Sequence, residues 1–382
     1  MIRWIRLLCY RITLAVLHLM PRAKGRRYRL AILKLDRLGD GVLSLGSVRL
    51  LVKEFGADQT LLIISNVAEP LFRNEFPGVD MLVLPPFSQS FWPDFVQTMI
   101  WHASWLRAIQ ADDLVCLRHQ PSDYLHAIAS LVRARQMHAS EWLGAGESVC
   151  LAYTRCRRVP YPEYSAEGCL ELEAHRRVTQ SVLGRSVSFN DIIPVLHSSF
   201  ATGDETLLVC PQAGAAIRQY PPASLALAIA LFLQAVPEMR VVVCLPPGTL
   251  RTPYEQSLQN AGVSSVFWVY PANLGELRQA ISSARLVLAP DSAPAHLTTA
   301  MNKPGVFLLG GGHYGMFAPW RRSTLQVWLN HHTDCYQCQW RCSHAEPFCI
   351  THIQPSAVAA ALQSVYAAAG VQCVLAAKKQ SA

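Results

Sequence analysis

The sequence is short of charge: 16% of its 382 residues are Asp, Glu, Lys or Arg, against 51% hydrophobic. That balance excludes a disordered chain and supplies more than one core, so two globular domains are expected. Acid is missing from the first 35 residues, while Arg3, Arg6, Arg11, Arg22, Lys24, Arg26, Arg27 and Arg29 crowd the first 29. Setting those eight aside leaves 26 bases against 26 acids, so the net charge of +8 belongs to one end. A formally neutral body argues against a nucleic-acid binder, which would carry its basic patch on the folded surface. No paired carboxylates of the Asp-x-Asp kind occur, and no small-residue cleavage site follows the apolar N-terminus, where Pro21, Arg22, Ala23 and Lys24 come next. We therefore expect no export and a cytoplasmic protein. The 12 cysteines are spread widely, and Cys116, Cys210 and Cys244 sit inside apolar strand-like runs, which reads as buried reduced thiols rather than a disulfide framework.

What is present begins with residues 4–20, which contain no Gly or Pro. As a helix they span about 25 Å, short of the roughly 30 Å hydrocarbon core. Arg3, Arg6, Tyr10, Arg11, Thr13 and His18 share one side, with Leu7, Leu14 and Leu17 among them, and Trp4, Ile5, Leu8, Ile12, Val16 and Leu19 populate the other. A five-base cluster from Arg22 to Arg29 follows. Residues 1–27 are thus expected to lie in the plane of an anionic membrane surface, the alternative being a helix packed on the body.

Two strand-and-helix series follow. The first has strand-like runs at Tyr28–Leu35, Thr60–Ser65, Met81–Leu84 and Asp113–Leu117, with helices expected at Val42–Phe55 and Glu171–Leu183. Between them Phe91–Ile109 is rich in aromatics and reads as a helix that packs or meets an apolar surface. A polar stretch, His197–Asp204, reads as the interdomain linker. The second series has strands at Thr206–Cys210, Arg240–Leu245, Ser265–Val269, Arg285–Ala289 and Pro304–Leu309, with helices at Pro222–Ala235 and Leu274–Ser283. The expected fold class is α/β, with a doubly wound domain over 28–197, another over 204–355, a cleft between them, and a C-terminal helix and tail over 356–382. Ligands of such sheets sit at the carboxyl ends of strands.

Three strand ends carry candidate chemistry. Leu38-Gly39-Asp40-Gly41 puts a carboxylate in a turn just past a strand, which by itself is a common turn or helix cap. The loop from Pro211 through Ala213 and Gly214 to Arg218 leads into a helix and offers N–H groups and a cation to a phosphate. The third, Pro290-Asp291-Ser292-Ala293-Pro294-Ala295-His296, joins a strand to a helix whose open N–H groups favour an anion such as a diphosphate.

These segments resemble glycosyltransferase family 9, the heptosyltransferase-like enzymes of GT-B fold in lipopolysaccharide assembly. The resemblance rests on Ile32–Asp40 with Leu43, on Pro211–Pro222 and on Asp291–Leu297, in family order along nearly the whole chain. It implies two Rossmann-like domains, an acceptor held by the N-terminal one, a nucleotide-sugar donor (ADP-heptose or related) held by the C-terminal one, and inversion without a metal. By position, Asp40 would be the general base, Arg218 would neutralise donor phosphate where the family usually has Lys, and Asp291, Ser292, Ala293 and His296, with Ala213 and Gly214, would line the donor site. Asp36 is the rival base, four residues before Asp40. Two departures fall on the donor side. No acid follows the second strand of the donor domain before Glu255, and Gly310-Gly311-Gly312-His313-Tyr314-Gly315 stands where Gly-Pro-Thr-Asp-Pro is usual.

Cys335, Cys338, Cys342 and Cys349 place four thiols within fifteen residues, dense enough for structural zinc, with reduced or redox-paired thiols as the alternative. The expected function is an inverting transfer of a sugar, heptose first, to a lipopolysaccharide-core or other glycolipid acceptor. The enzyme would be peripheral at the inner face of the cytoplasmic membrane, with no cofactor required and no nucleic-acid partner. Its rivals are the same reaction with another sugar nucleotide or acceptor, and a non-catalytic binder of sugar nucleotide or glycolipid.

Overall fold

The computed structural model describes residues 2–19, 25–85, 101–118, 122–141, 155–160, 169–196, 204–321 and 323–380. The expected linker at 197–203, the aromatics Phe91, Trp92 and Phe95, and the bases Arg22 and Lys24 lie outside them. The chain divides into two compact units, Met1–Ala166 with Leu170–Pro194, and Glu167–Cys169 with Val195–Ala382.

In the first unit α1 (Ile2–Leu19) precedes β1 (Arg27–Lys34), α2 (Leu38–Phe55), β2 (Thr60–Ser65), α3 (Glu69–Glu75) and β3 (Asp80–Leu84). Helical residues 101–108 (α4) lead to β4 (Gln110–Cys116), α5 (Asp123–Leu131), β5 (Arg133–Ser140), β6 (Cys156–Val159), α6 (Leu170–Leu183) and α7 (Phe189–Ile192). The second unit runs β7 (Asp204–Val209), α8 (Pro222–Ala235), β8 (Arg240–Cys244), α9 (Thr252–Asn260), β9 (Val266–Val269), α10 (Leu274–Ser283), β10 (Ala284–Pro290) and α11 (Ala293–Ala300). It closes with β11 (Gly305–Leu308), β12 (Gln326–Leu329), α12 (Phe348–Thr351) and α13 (Pro355–Gln380).

Each unit holds one six-stranded sheet, in order β3-β2-β1-β4-β5-β6 and β9-β8-β7-β10-β11-β12, and the pairings are parallel throughout. This is the same doubly wound order twice, with β1 and β7 beside the point where the order reverses, where such folds bind ligands. Central strands such as β2 are buried along their whole length because helices cover both faces, which explains their unbroken Leu and Ile runs.

Two sequence expectations change. The turn at Leu38–Gly41 is the first turn of α2, with Gly41 N–H bonded to Arg37 O at 2.9 Å. Gly41 is needed for packing rather than for a turn: a Cβ there would meet Ala68 at 3.3 Å, with Leu71 and Phe72 just beyond. α1 packs on the body by one side only. Leu14 is fully buried in the core that contains Leu33, Leu106 and Ile128, with Leu17 packed against it, yet Leu8, Ile12, Val16 and Leu19 remain exposed. Nor are all the leader's bases free: Arg26 pairs with Asp80, Arg27 with Asp112 at 2.6 Å, and Arg29 lies over the Phe55 ring.

Candidate active site

At the carboxyl end of β1 the chain places Lys34, Asp36 and Asp40 within seven residues, and the fold brings Arg118, Glu171 and His175 to them. Lys34 is buried; its Nζ lies 2.7 Å from Glu171 Oε1 and 3.1 Å from Asp36 Oδ2, and it donates to Leu117 O at 2.7 Å. Arg118, just past β4, pairs with the other oxygen of Asp36. His175, one turn along α6 from Glu171, sits 3.1 Å from that carboxylate. Burial works against the charge on Lys34, but Asp36, Glu171 and Asp40 outweigh it and raise its pKa.

Three carboxylates thus share two fixed cations, and the shortfall falls on Asp40. Asp36 is buried with both oxygens committed to Lys34 and Arg118. Asp40 is partly exposed and has no hydrogen bond or ion pair among the described residues. Burial is the main influence on it, reinforced by Asp36 and Glu171 and opposed by Lys34 and Arg118, and its pKa is pushed up to about 6. A partly exposed carboxyl titrating near neutrality can take a proton from a bound hydroxyl. The paired, buried Asp36 cannot play that part without breaking two ion pairs.

In the second unit the strand ends of β7, β10 and β11 converge on Asp291. Arg218 lies in a 3-10 turn, Ala216–Arg218, with Nη1 3.6 Å from Asp291 Oδ2 and donating to Asp291 O at 3.4 Å. His296 Nε2 is 3.6 Å from Oδ1. Its Nδ1 accepts from Trp320 Nε1 at 3.1 Å, so the neutral ring carries its proton on Nε2, facing the carboxylate. Burial alone would raise Asp291; His296, then Arg218 and His313, overcome it and hold this carboxyl below the usual range. Ser292 is the N-cap of α11 by position but gives no cap bond, its Oγ donating to Pro290 O at 3.0 Å instead. Pro294 has no N–H and His296 N–H bonds Ser292 O at 3.3 Å, so among the described residues the N–H groups of Ala293 and Ala295 are left for another acceptor in the first turn of α11. Ala213 and Gly214 lie on the more accessible part of the loop before Arg218, a loop braced from behind by Gln212, which bonds Gln219 at 2.8 Å and Tyr254 at 3.0 Å.

His313 is the residue that sequence reasoning passed over except as a departure. It ends the 3-10 turn Gly311–His313 after β11, with Nδ1 3.9 Å from Asp291 Oδ2 and its ring edge-on to Trp340 and Phe317. Its position at a third strand end was the available signal. The glycines before it serve packing: a Cβ on Gly310 or Gly312 would strike Trp340, and one on Gly311 would strike Tyr336. Glu255, the first acid after β8, is engaged by Arg251 at 3.2 Å.

The cysteine-rich loop folds onto those glycines, Gln337 N–H bonding Gly311 O at 2.8 Å and Gln339 N–H bonding Gly312 O at 3.0 Å. Burial and the neighbouring thiols raise Cys342, and burial raises Cys349 against N–H bonds from Gly311 and Gly312. Among the described residues no group of three or more His, Cys, Asp or Glu is gathered closely enough to hold a metal ion, although Cys342 has Cys335, Cys338 and Cys349 as its neighbours. All four are free thiols, and Cys349, Tyr336 and Trp340 pack against the glycines of the turn carrying His313. Cys116, Cys210 and Cys244 are buried free thiols.

Comparison with known proteins bears on this geometry. Residues 191–348 match the model of glycosyltransferase family 9 (heptosyltransferase). Among solved structures the chain is similar to the glycosyl transferase family 9 protein of Veillonella parvula (14% identity, covering 90% of this chain and 99% of that one, TM-score 0.63). It is also similar to the E. coli ADP-heptose LPS heptosyltransferase II (14%, 88% and 98%, 0.61). A third likeness is to the E. coli heptosyltransferase WaaC with ADP-2-deoxy-2-fluoro heptose (16%, 87% and 98%, 0.57). The comparison with curated protein sequences gave no match. At these identities the structural likeness establishes the fold.

Proposed function

From the match of residues 191–348 to the model of glycosyltransferase family 9, we propose that the protein is an inverting glycosyltransferase that moves a sugar, heptose first, from a nucleotide donor to a glycolipid acceptor. The second unit holds the donor: Arg218 supplies the positive charge and the open first turn of α11 the N–H donors that a departing diphosphate requires, with the imidazoles of His296 and His313 beside them. The first unit holds the acceptor, and Asp40 is the base. As the acceptor oxygen attacks the anomeric carbon, Asp40 takes its proton, the bond from that carbon to the diphosphate breaks, and the nucleoside diphosphate leaves with the electron pair. Because one face of the ring is attacked while the other is vacated, the anomeric configuration inverts.

The observation that carries this reading is the contrast between a partly exposed Asp40, without a hydrogen bond or ion pair among the described residues and with its pKa pushed up to about 6, and a nearby Asp36 locked in ion pairs. A lipid-linked acceptor fits the exposed apolar stripe of α1, which would hold the enzyme at the inner face of the cytoplasmic membrane. A second reading, the same reaction with a sugar nucleotide other than ADP-heptose, is favoured by Glu255 being bound to Arg251 and by His313 in place of the usual motif.

A panel of sugar nucleotides tested by thermal shift identifies the donor, since a ligand that binds only the folded state raises its melting temperature. With that donor, Asp40→Ala should lower the transfer rate by about 10²–10⁴-fold while the donor-induced shift persists. Undiminished transfer in Asp40→Ala would overturn the assignment of the base.

A further inference from the structure

The aromatic-rich segment before β4 has no part in either half of the reaction, yet it carries two of the largest exposed apolar side chains. Trp101 and Trp105, one turn apart on α4, are 68% and 67% exposed, while Ala103 and Leu106 on its other side are buried in the core that also receives Leu14 of α1. On α1 the exposed residues Leu8, Ile12, Val16 and Leu19 fall at helical spacing along one stripe. These two helices supply six of the 13 large hydrophobics exposed among the described residues, so the apolar surface is concentrated rather than scattered.

The two helices pack on the same core, which receives Leu14 from α1 and Ala103 and Leu106 from α4, and the chain at the start of β1 runs against the end of α4, where Gln110 N–H bonds Arg26 O at 3.3 Å. No acid occurs in residues 1–35 and Arg11 is exposed on α1, whereas Arg107 on α4 is buried and Arg26 and Arg27 are paired with Asp80 and Asp112. Tryptophan is the side chain that gains most from a bilayer interface, where its ring is buried and its N–H stays near water.

We infer that α4 is a second membrane-contacting element, whose Trp101 and Trp105 enter the interface of an anionic bilayer beside the apolar stripe of α1. The inference rests on the membrane association proposed above. Two helices docked on one core fix the tilt of the first domain on the surface, which a single in-plane helix leaves free to rotate about its own axis. The partner is the lipid surface itself, an apolar interface bearing negative headgroups.

The test uses the full chain and vesicles of phosphatidylethanolamine with phosphatidylglycerol. Wild-type protein should co-sediment with them, and lipids brominated near the headgroup should quench part of its tryptophan fluorescence. Trp101→Ser with Trp105→Ser should weaken vesicle partitioning by about tenfold or more and remove their share of the quenching, leaving that of Trp4 on α1, with an unchanged melting temperature. Trp101→Phe with Trp105→Phe should recover part of the partitioning. If the double Ser variant binds and is quenched like wild type, α4 is not a contact and the α1 reading survives alone. If wild type ignores both anionic and phosphatidylcholine vesicles, this inference and the membrane association fail together. A wild-type dimer in solution that the double Ser variant loses would overturn the inference in favour of a second copy covering the tryptophans.

Discussion

Asp40 and Asp291 stand beyond the carboxyl ends of different central strands in two copies of one fold, Asp40 after β1 and Asp291 after β10, the counterpart of β4, and their surroundings drive them apart. Asp40 shares two fixed cations with two other carboxylates and is pushed up to about 6. Asp291 stands alone among Arg218, His296 and His313 and is held below the usual carboxyl range. The first is a proton acceptor near neutral pH; the second stays ionised and fixes the positions of three cationic or imidazole groups around a helix N-terminus. The count of like and unlike charges around a carboxylate, more than its place in the fold, decides which chemistry it can do.

Removing Lys34 breaks the comparison most severely, because it leaves Asp36 and Glu171 buried without their shared cation. Lys34→Ala should destabilise the protein by about 3–5 kcal/mol in denaturant unfolding. Removing Arg218 perturbs the other side less, since the open turn of α11 and His296 remain. Arg218→Ala should weaken donor binding by about 1.5–3 kcal/mol, measured by titration calorimetry, with Arg218→Lys recovering part of it because an ammonium keeps the charge but not the fork.

Much of this was legible in the sequence, for reasons that also explain the gaps. β2, β8 and β10 are unbroken apolar runs, and α8 and α10 begin and end where their spacing places them. β5 was not legible, because its exposed half carries Arg133, Arg135 and Gln136 and its buried half contains His138 and Ser140, so no apolar run marks it. β12, four residues at a sheet edge, was missed as well. The start of α2 was misread because Gly39 and Gly41 look like turn residues, whereas Gly41 is there for the close approach of α3. Motif order marked Asp40, Arg218, Asp291 and His296. The choice between Asp36 and Asp40 was a matter of resemblance, since its physical basis is Arg118, 82 residues from Asp36, and Glu171, 137 residues from Lys34. The net charge of +8 also reads differently once Arg26 and Arg27 are seen paired with acids of the body.

The measurement closest to the central claim is the pH dependence of kcat/KM for transfer, in wild type and in Asp40→Asn. A general base must be ionised to act, so a raised pKa means that activity is full above it and lost below it. Wild-type kcat/KM should fall about tenfold per pH unit below an apparent pKa of about 6 and be level above it. The Asp40→Asn profile should be low and without that inflection. A wild-type profile that stays level through pH 6, or an Asp40→Asn variant that keeps the same inflection, would contradict the account.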